Sequence, residues 1–131
     1  MALVIDLKPN EKILIGEAVI TNGTQRARFQ IAGDAPILRE KDVMKEEEAD
    51  TPCKRIYFLV QCMYLARTPR DYHKKYFDMV SEIQNASPSC AFFFMQINDH
   101  IISDSYYKAL KVSRQLIDHE RELVSNALKK Q

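Results

Sequence analysis

Three side chains able to hold anions or read bases, Arg26, Arg28 and Gln30, alternate with Ala27, Phe29 and Ile31. A period of two is the repeat of an extended strand, so the polar set shares one face and the apolar set the other. A guanidinium fork on a rigid strand grips phosphate bidentately or stacks on an unpaired base, and several on one sheet make a platform for single-stranded RNA. Lys8, Arg39 and Lys41 are candidates to extend that patch. The plainer reading of the same alternation is a solvated strand face whose arginines pair with acids such as Asp6 or Glu17. No aromatic pair stands among the arginines, which separates this segment from the aromatic-studded sheet of an RRM.

Other chemistry is poorly represented. His73, His100 and His119 are isolated in separate helical segments, and the chain contains no GxSxG, HExxH or GxxxxGK, so neither catalysis nor a cofactor is expected. The Glu46-Glu47-Glu48 run lacks the spacing of a calcium loop, and Cys53, Cys62 and Cys90 form no CxxC pair. No metal centre or disulfide scaffold is expected, and the cysteines read as buried thiols of a reducing cytoplasm. Nineteen Lys and Arg against eighteen Asp and Glu leave a net charge of +1, so any polyanion site is a local patch and DNA is not an expected partner. No basic region precedes an apolar run at the N-terminus, and no apolar stretch approaches the roughly 18 residues of a membrane span. The expectation is a cytoplasmic protein without membrane contact.

These residues must be positioned by two kinds of element. With 131 residues, of which 46% are hydrophobic, the chain suits one domain or a small domain with a helical extension. Residues 1–45 read as a small antiparallel β-sheet of three to five strands, and residues 46–131 as a bundle of about four α-helices, an α+β protein. Leu3, Ile5 and Leu7 alternate with Val4, Asp6 and Lys8 before a turn at Pro9-Asn10-Glu11. Lys12–Ile15 and Ala18–Thr21 read as one strand interrupted by a bulge or tight bend at Gly16-Glu17. Asn22-Gly23 signals a hairpin into the strand carrying Arg26 to Ile31, and Gly33-Asp34 turns the chain into a short piece through Ile37 and Leu38.

The ordered blocks LVIDLKP (3–9), ILIG (13–16), VITNG (19–23), DAPILRE (34–40), EEADTP (47–52) and YYKALK (106–111) resemble the flagellum biosynthesis repressor family, FlbT, over nearly the whole chain. The resemblance implies a post-transcriptional regulator acting at the 5′ untranslated leader of flagellin messenger RNA, controlling its translation and stability. It also implies FlaF or flagellin itself as protein partners. Leu3 to Lys8, Glu11, Ile15-Gly16, Ala35-Pro36 and Arg39-Glu40 are similar, more distantly, to the carbon storage regulator family, CsrA. That family's RNA-binding positions carry over as Lys8 and Arg39. Where it has consecutive basic residues this chain has Leu7-Lys8, and the segment between Pro36 and Arg39 is shorter.

Downstream, Lys45 to Asp50 reads as a charged linker, and Thr51-Pro52, Thr68-Pro69 and Ser87-Pro88 each offer a hydroxyl cap followed by a proline suited to a first turn. Ile56, Leu59, Val60 and Met63 make one amphipathic stripe, and Tyr72, Tyr76, Val80 and Ile83 another. The run from Ala91 to Ile97 fits a short buried helix or a strand. Adjacent Phe92, Phe93 and Phe94 cannot all face one core, so they and Ile97 are candidates for contact with a partner. A long helix begins at Ser103 or Asp104, with Leu110, Ile117 and Val124 at near-heptad positions that seek a partner helix in the same chain or in a second copy. Two functional readings follow: an RNA regulator using Lys8, Arg26, Arg28, Gln30, Arg39 and Lys41, and a protein adaptor gripping its partner through the helical part.

Overall fold

The alternating segment folds as five short strands and the downstream periodicity as four helices, in a computed structural model that describes residues 2–129. The α+β reading holds. Two compact units are present, one of residues 2–43 with Leu65–Arg67, the other of Met44–Tyr64 with residues 68–129.

In the first unit the strands divide between two sheets where a single sheet was expected. Strands β1 (Ala2–Leu7) and β4 (Ala27–Ala32) form an antiparallel ribbon, while β2 (Lys12–Ile15), β3 (Ala18–Thr21) and β5 (Ile37–Arg39) form a sheet in the order β3-β2-β5. Gly16-Glu17 is the reversal itself. Ile15 faces Ala18, and Gly16 takes φ +58°, a left-handed value that glycine adopts without steric cost. Asn22-Gly23 does not join neighbouring strands. Asn22 Nδ2 instead donates to the carbonyls of Leu7, Lys8 and Gln25, tying down the passage from β3 to β4 and releasing β4 to pair with β1. Ile5, Leu7 and Ile13 form the buried core, with Phe29, Ile31 and Ile37 packed against it.

In the second unit, α1 (Pro52–Leu65) starts where expected, and Thr51 Oγ1 accepts the Lys54 amide proton as its cap. Thr68-Pro69 and Ser87-Pro88 behave differently. Each opens a short 3₁₀ turn without a side-chain cap, and the helices follow later as α2 (His73–Ala86) and α3 (Ala91–Ile102). The apolar run is thus helical. The longest helix, α4 (Tyr106–Lys129), follows a turn in which Asp104 has φ +59°. Contacts of Cys53 with Glu120, Tyr57 with Arg114 and Tyr64 with Tyr107 pair α1 with α4 in antiparallel sense. Phe93, near the start of α3, meets His119 well along α4, while only residues 103–105 join the end of α3 to the start of α4, so these two helices are antiparallel too. Among the described residues no helix is long and apolar enough to cross a membrane.

Candidate nucleic-acid interface

The register of the β1·β4 ribbon sets which side chains stand together. Asp6 faces Arg28 and Val4 faces Gln30, while Leu7 faces Ala27, so Lys8 and Arg26 leave the strand ends side by side. The even-numbered residues Val4, Asp6, Lys8, Arg26, Arg28 and Gln30 are all exposed, whereas Ile5 and Leu7 are buried and Ala27, Phe29 and Ile31 half-buried. Period-two alternation therefore yields an outward face on which three cations accompany one carboxylate.

Both sequence readings of Arg28 meet here. Its Nε lies 3.7 Å from Asp6 Oδ1, with the two side chains 74% and 52% exposed. A pair this long and this wet contributes little and yields readily to a stronger anion. The other acid considered, Glu17, pairs with Arg67 at 3.8 Å. Lys8 and Arg26 make no ion pair among the described residues, and the Lys8 amide donates to Glu11 Oε1 at 2.8 Å, fixing the turn after β1.

Arg39 serves a different purpose. It is only half-exposed, and one terminal nitrogen donates to the Asp6 carbonyl at 2.7 Å, tying β5 to β1, while its Nε is buried with no hydrogen-bond partner among the described residues. A guanidinium committed in this way holds the two sheets together. Lys41 is exposed in the 3₁₀ turn Glu40–Asp42 after β5, outside the ribbon. Arg26, Arg28, Gln30 and Lys8 are thus brought together, and Arg39 and Lys41 are not part of that row.

The protein-contact candidates divide as well. Phe94 and Ile97 are fully buried, and Leu110 and Ile117 are buried too, so their apolar surface is already used within this chain. Phe93 is half-buried with its ring 5.0 Å from that of His119, which leaves Phe92 and Val124 exposed. Met95 and Ile102 are exposed beside Phe92 and were missed from sequence, although their positions at i+3 and i+10 put them on its stripe.

Several polar groups of the helical unit are held in structural bonds. Glu120 accepts from Thr51 Oγ1 at 2.6 Å and from the Cys53 amide at 3.0 Å, placing a carboxylate at the positive end of α1. Burial, then the nearby Glu120 carboxylate, pushes the Cys53 thiol far up, and burial raises Cys62 and Cys90. His73 Nε2 lies 3.0 Å from Tyr106 Oη, and His119 Nε2 lies 2.9 Å from Ser89 Oγ. Among the described residues no three His, Cys, Asp or Glu side chains form a group able to hold a metal ion.

The family model described as "Flagellar protein FlbT" matches residues 3–124. The chain is 47% identical over 125 residues to the "Probable flagellum biosynthesis repressor protein FlbT" of Rhodopseudomonas palustris, covering 95% of this chain and 99% of the relative. It is 45% identical over 124 residues to the "Probable flagellum biosynthesis repressor protein FlbT 1" of Bradyrhizobium diazoefficiens, covering 94% and 85%. The "Flagellum biosynthesis repressor protein FlbT" of Caulobacter vibrioides is 34% identical over 125 residues, covering 93% and 89%. No solved structure matches the chain.

Proposed function

The chain belongs to the FlbT family of flagellar proteins, and on that premise we propose that it is a non-enzymatic regulator of flagellum biosynthesis that binds the 5′ untranslated leader of flagellin messenger RNA. The observation that carries the reading is the outward row on the β1·β4 ribbon, where Lys8, Arg26 and Arg28 stand exposed with Gln30 beside them. The arginines and Lys8 meet backbone phosphates of an unpaired strand, and Gln30 supplies an amide donor and acceptor to a splayed base. Occupying the leader alters its access to ribosomes and nucleases, so the protein itself cuts nothing. Arg39 acts through position, by holding β5 on β1. Photocrosslinking of the purified protein to a flagellin leader, followed by mapping of the attached peptide, tests this. Attachment within residues 2–32 supports it, and no attachment to the pure protein refutes direct contact.

A second reading rests on α3. Phe92, Met95 and Ile102 are 62%, 58% and 73% exposed on one helical stripe, with Asp99 between them. Such a stripe suits an amphipathic helix of a flagellar partner, FlaF or flagellin, laid along it. Phe92→Asp should abolish co-purification of that partner without unfolding the chain, since Phe92 contributes little to the core. Retention by the folded variant would sink this reading and leave the RNA reading untouched.

A further inference from the structure

The outer edge of β3 is bare. All residues of Ala18–Thr21 are exposed, Val19 by 62% and Ile20 by 40%, and among the described residues the strand pairs on one side only, with β2. The Asn22 backbone N–H donates to the Glu11 carbonyl at 2.9 Å, which fixes the phase of the β2·β3 ladder. In an antiparallel ladder residues alternate between those whose N–H and C=O point to the partner and those pointing away. Ala18 and Ile20 therefore point to β2, and Val19 and Thr21 offer their amides and carbonyls to the open side. Folded proteins blunt such edges with lysine, proline, an inward charge or a bulge, and this strand has none of them.

We propose that β3 is a self-pairing edge, joined antiparallel to β3 of a second copy of this chain about a two-fold axis through Ile20. Val19 of one copy then lies opposite Thr21 of the other, both with groups pointing outward, and each such pair exchanges two hydrogen bonds, about four in all. On the axis Ile20 meets its own counterpart as a non-hydrogen-bonded pair, the arrangement in which side chains come closest. Glu17 falls opposite Gly23 and Ala18 opposite Asn22, so no like charges oppose. A heterologous joint between this edge and another strand of the same protein leaves edges free and polymerises, whereas the two-fold joint closes after two copies. The joint is only four residues long in each copy, short of the roughly 1,000 Å² that stable specific interfaces clear, so association is weak and a dissociation constant on the order of tens of micromolar is expected.

Sedimentation equilibrium of the full chain from about 1 to about 100 μM, spanning that constant, reads the association. Thr21→Pro removes an amide proton that has no partner among the described residues, and an outward-facing edge position tolerates proline. The wild type should pass from one chain to two, and Thr21→Pro should remain a monomer with an unchanged far-ultraviolet spectrum. If proline disturbs the fold, Ile20→Lys serves instead, placing two ammonium groups across the axis at an already exposed site. Ile20→Cys should form a disulfide-linked dimer under mild oxidation, while Ala18→Cys and the wild type should not. A wild type that stays monomeric overturns the proposal. So does a dimer that survives Thr21→Pro and Ile20→Lys, or one that Ile20→Cys fails to crosslink.

Discussion

Replacing Arg26 and Arg28 together with alanine tests the RNA surface where the structure is most specific. Both side chains stand on the exposed face of the ribbon, while Phe29 and Ile31 carry the packing, so the fold should survive. Each cation that meets a phosphate of single-stranded RNA displaces condensed counterions and adds about 0.7 to the steepness of log K against log salt. Lys8, Arg26 and Arg28 together predict a slope of roughly −2, which falls to about −0.7 when the arginines are gone. At 0.1 M salt the two lost contacts amount to a factor of about 10 raised to 1.4, or roughly 25-fold in affinity. The Asp6 pair barely offsets this, because at 3.7 Å with both partners exposed it competes weakly with phosphate. Fluorescence anisotropy with a labelled flagellin leader across a series of potassium chloride concentrations supplies both quantities. Equal slopes for wild type and double variant, with circular dichroism unchanged, would refute the assignment of the ribbon as the binding face.

Three further outcomes follow from named contacts. Arg39→Met removes the charge-assisted bond to the Asp6 carbonyl, and since it also relieves an Nε buried with no hydrogen-bond partner among the described residues, the net cost in urea unfolding should be about 1–2 kcal/mol. Its salt slope for RNA should match the wild type, and a lowered slope would return Arg39 to the contact row. Glu120→Ala leaves Thr51 Oγ1 and the Cys53 amide without their acceptor at the start of α1, a loss of about 1–3 kcal/mol by the same measurement. Alkali should destabilise the fold: Cys53, Cys62 and Cys90 are raised above their ordinary 9.0 and Tyr76 above 10.0, so beyond pH 9 the native state holds protons that the unfolded chain has released. Stability from these groups is complete below pH 9 and declines above it, and a urea midpoint that rises between pH 8 and pH 10.5 would contradict the burial of these groups.

Period was the readable part of this sequence. Alternation placed Arg28 and Gln30 on one face of β4 with Phe29 and Ile31 on the other, and the 3.6-residue repeat located the buried faces of α1 and α2. Pairing was not readable, because it depends on contacts distant along the chain. Asn22-Gly23 has the composition of a hairpin turn, yet the Asn22 amide finds the carbonyls of Leu7, Lys8 and Gln25, and β4 leaves β3 for β1. Thr68 and Ser87 precede prolines as Thr51 does, but only Thr51 accepts a backbone proton of the following helix turn, aided by Glu120 from a helix that begins 54 residues after α1 does, at Tyr106 against Pro52. Capping chemistry in the sequence states that a start is available without stating that it is used.

Arg28 and Arg39 show what this means for function. As letters they are equivalent cations on short strands, and the distant similarity to carbon storage regulators favoured Arg39. Register separates them: Arg28 lies opposite Asp6 on an open face, loosely paired, whereas Arg39 reaches the Asp6 backbone and is partly enclosed. A contact residue must be able to exchange its partner for the ligand, and a guanidinium whose bond closes one sheet onto another cannot do so without loosening the fold. The two arginines around Asp6 thus divide the work, one displayed and one structural. Exchange of their phenotypes, with RNA salt dependence following Arg39 and stability following Arg28, is the result this arrangement forbids.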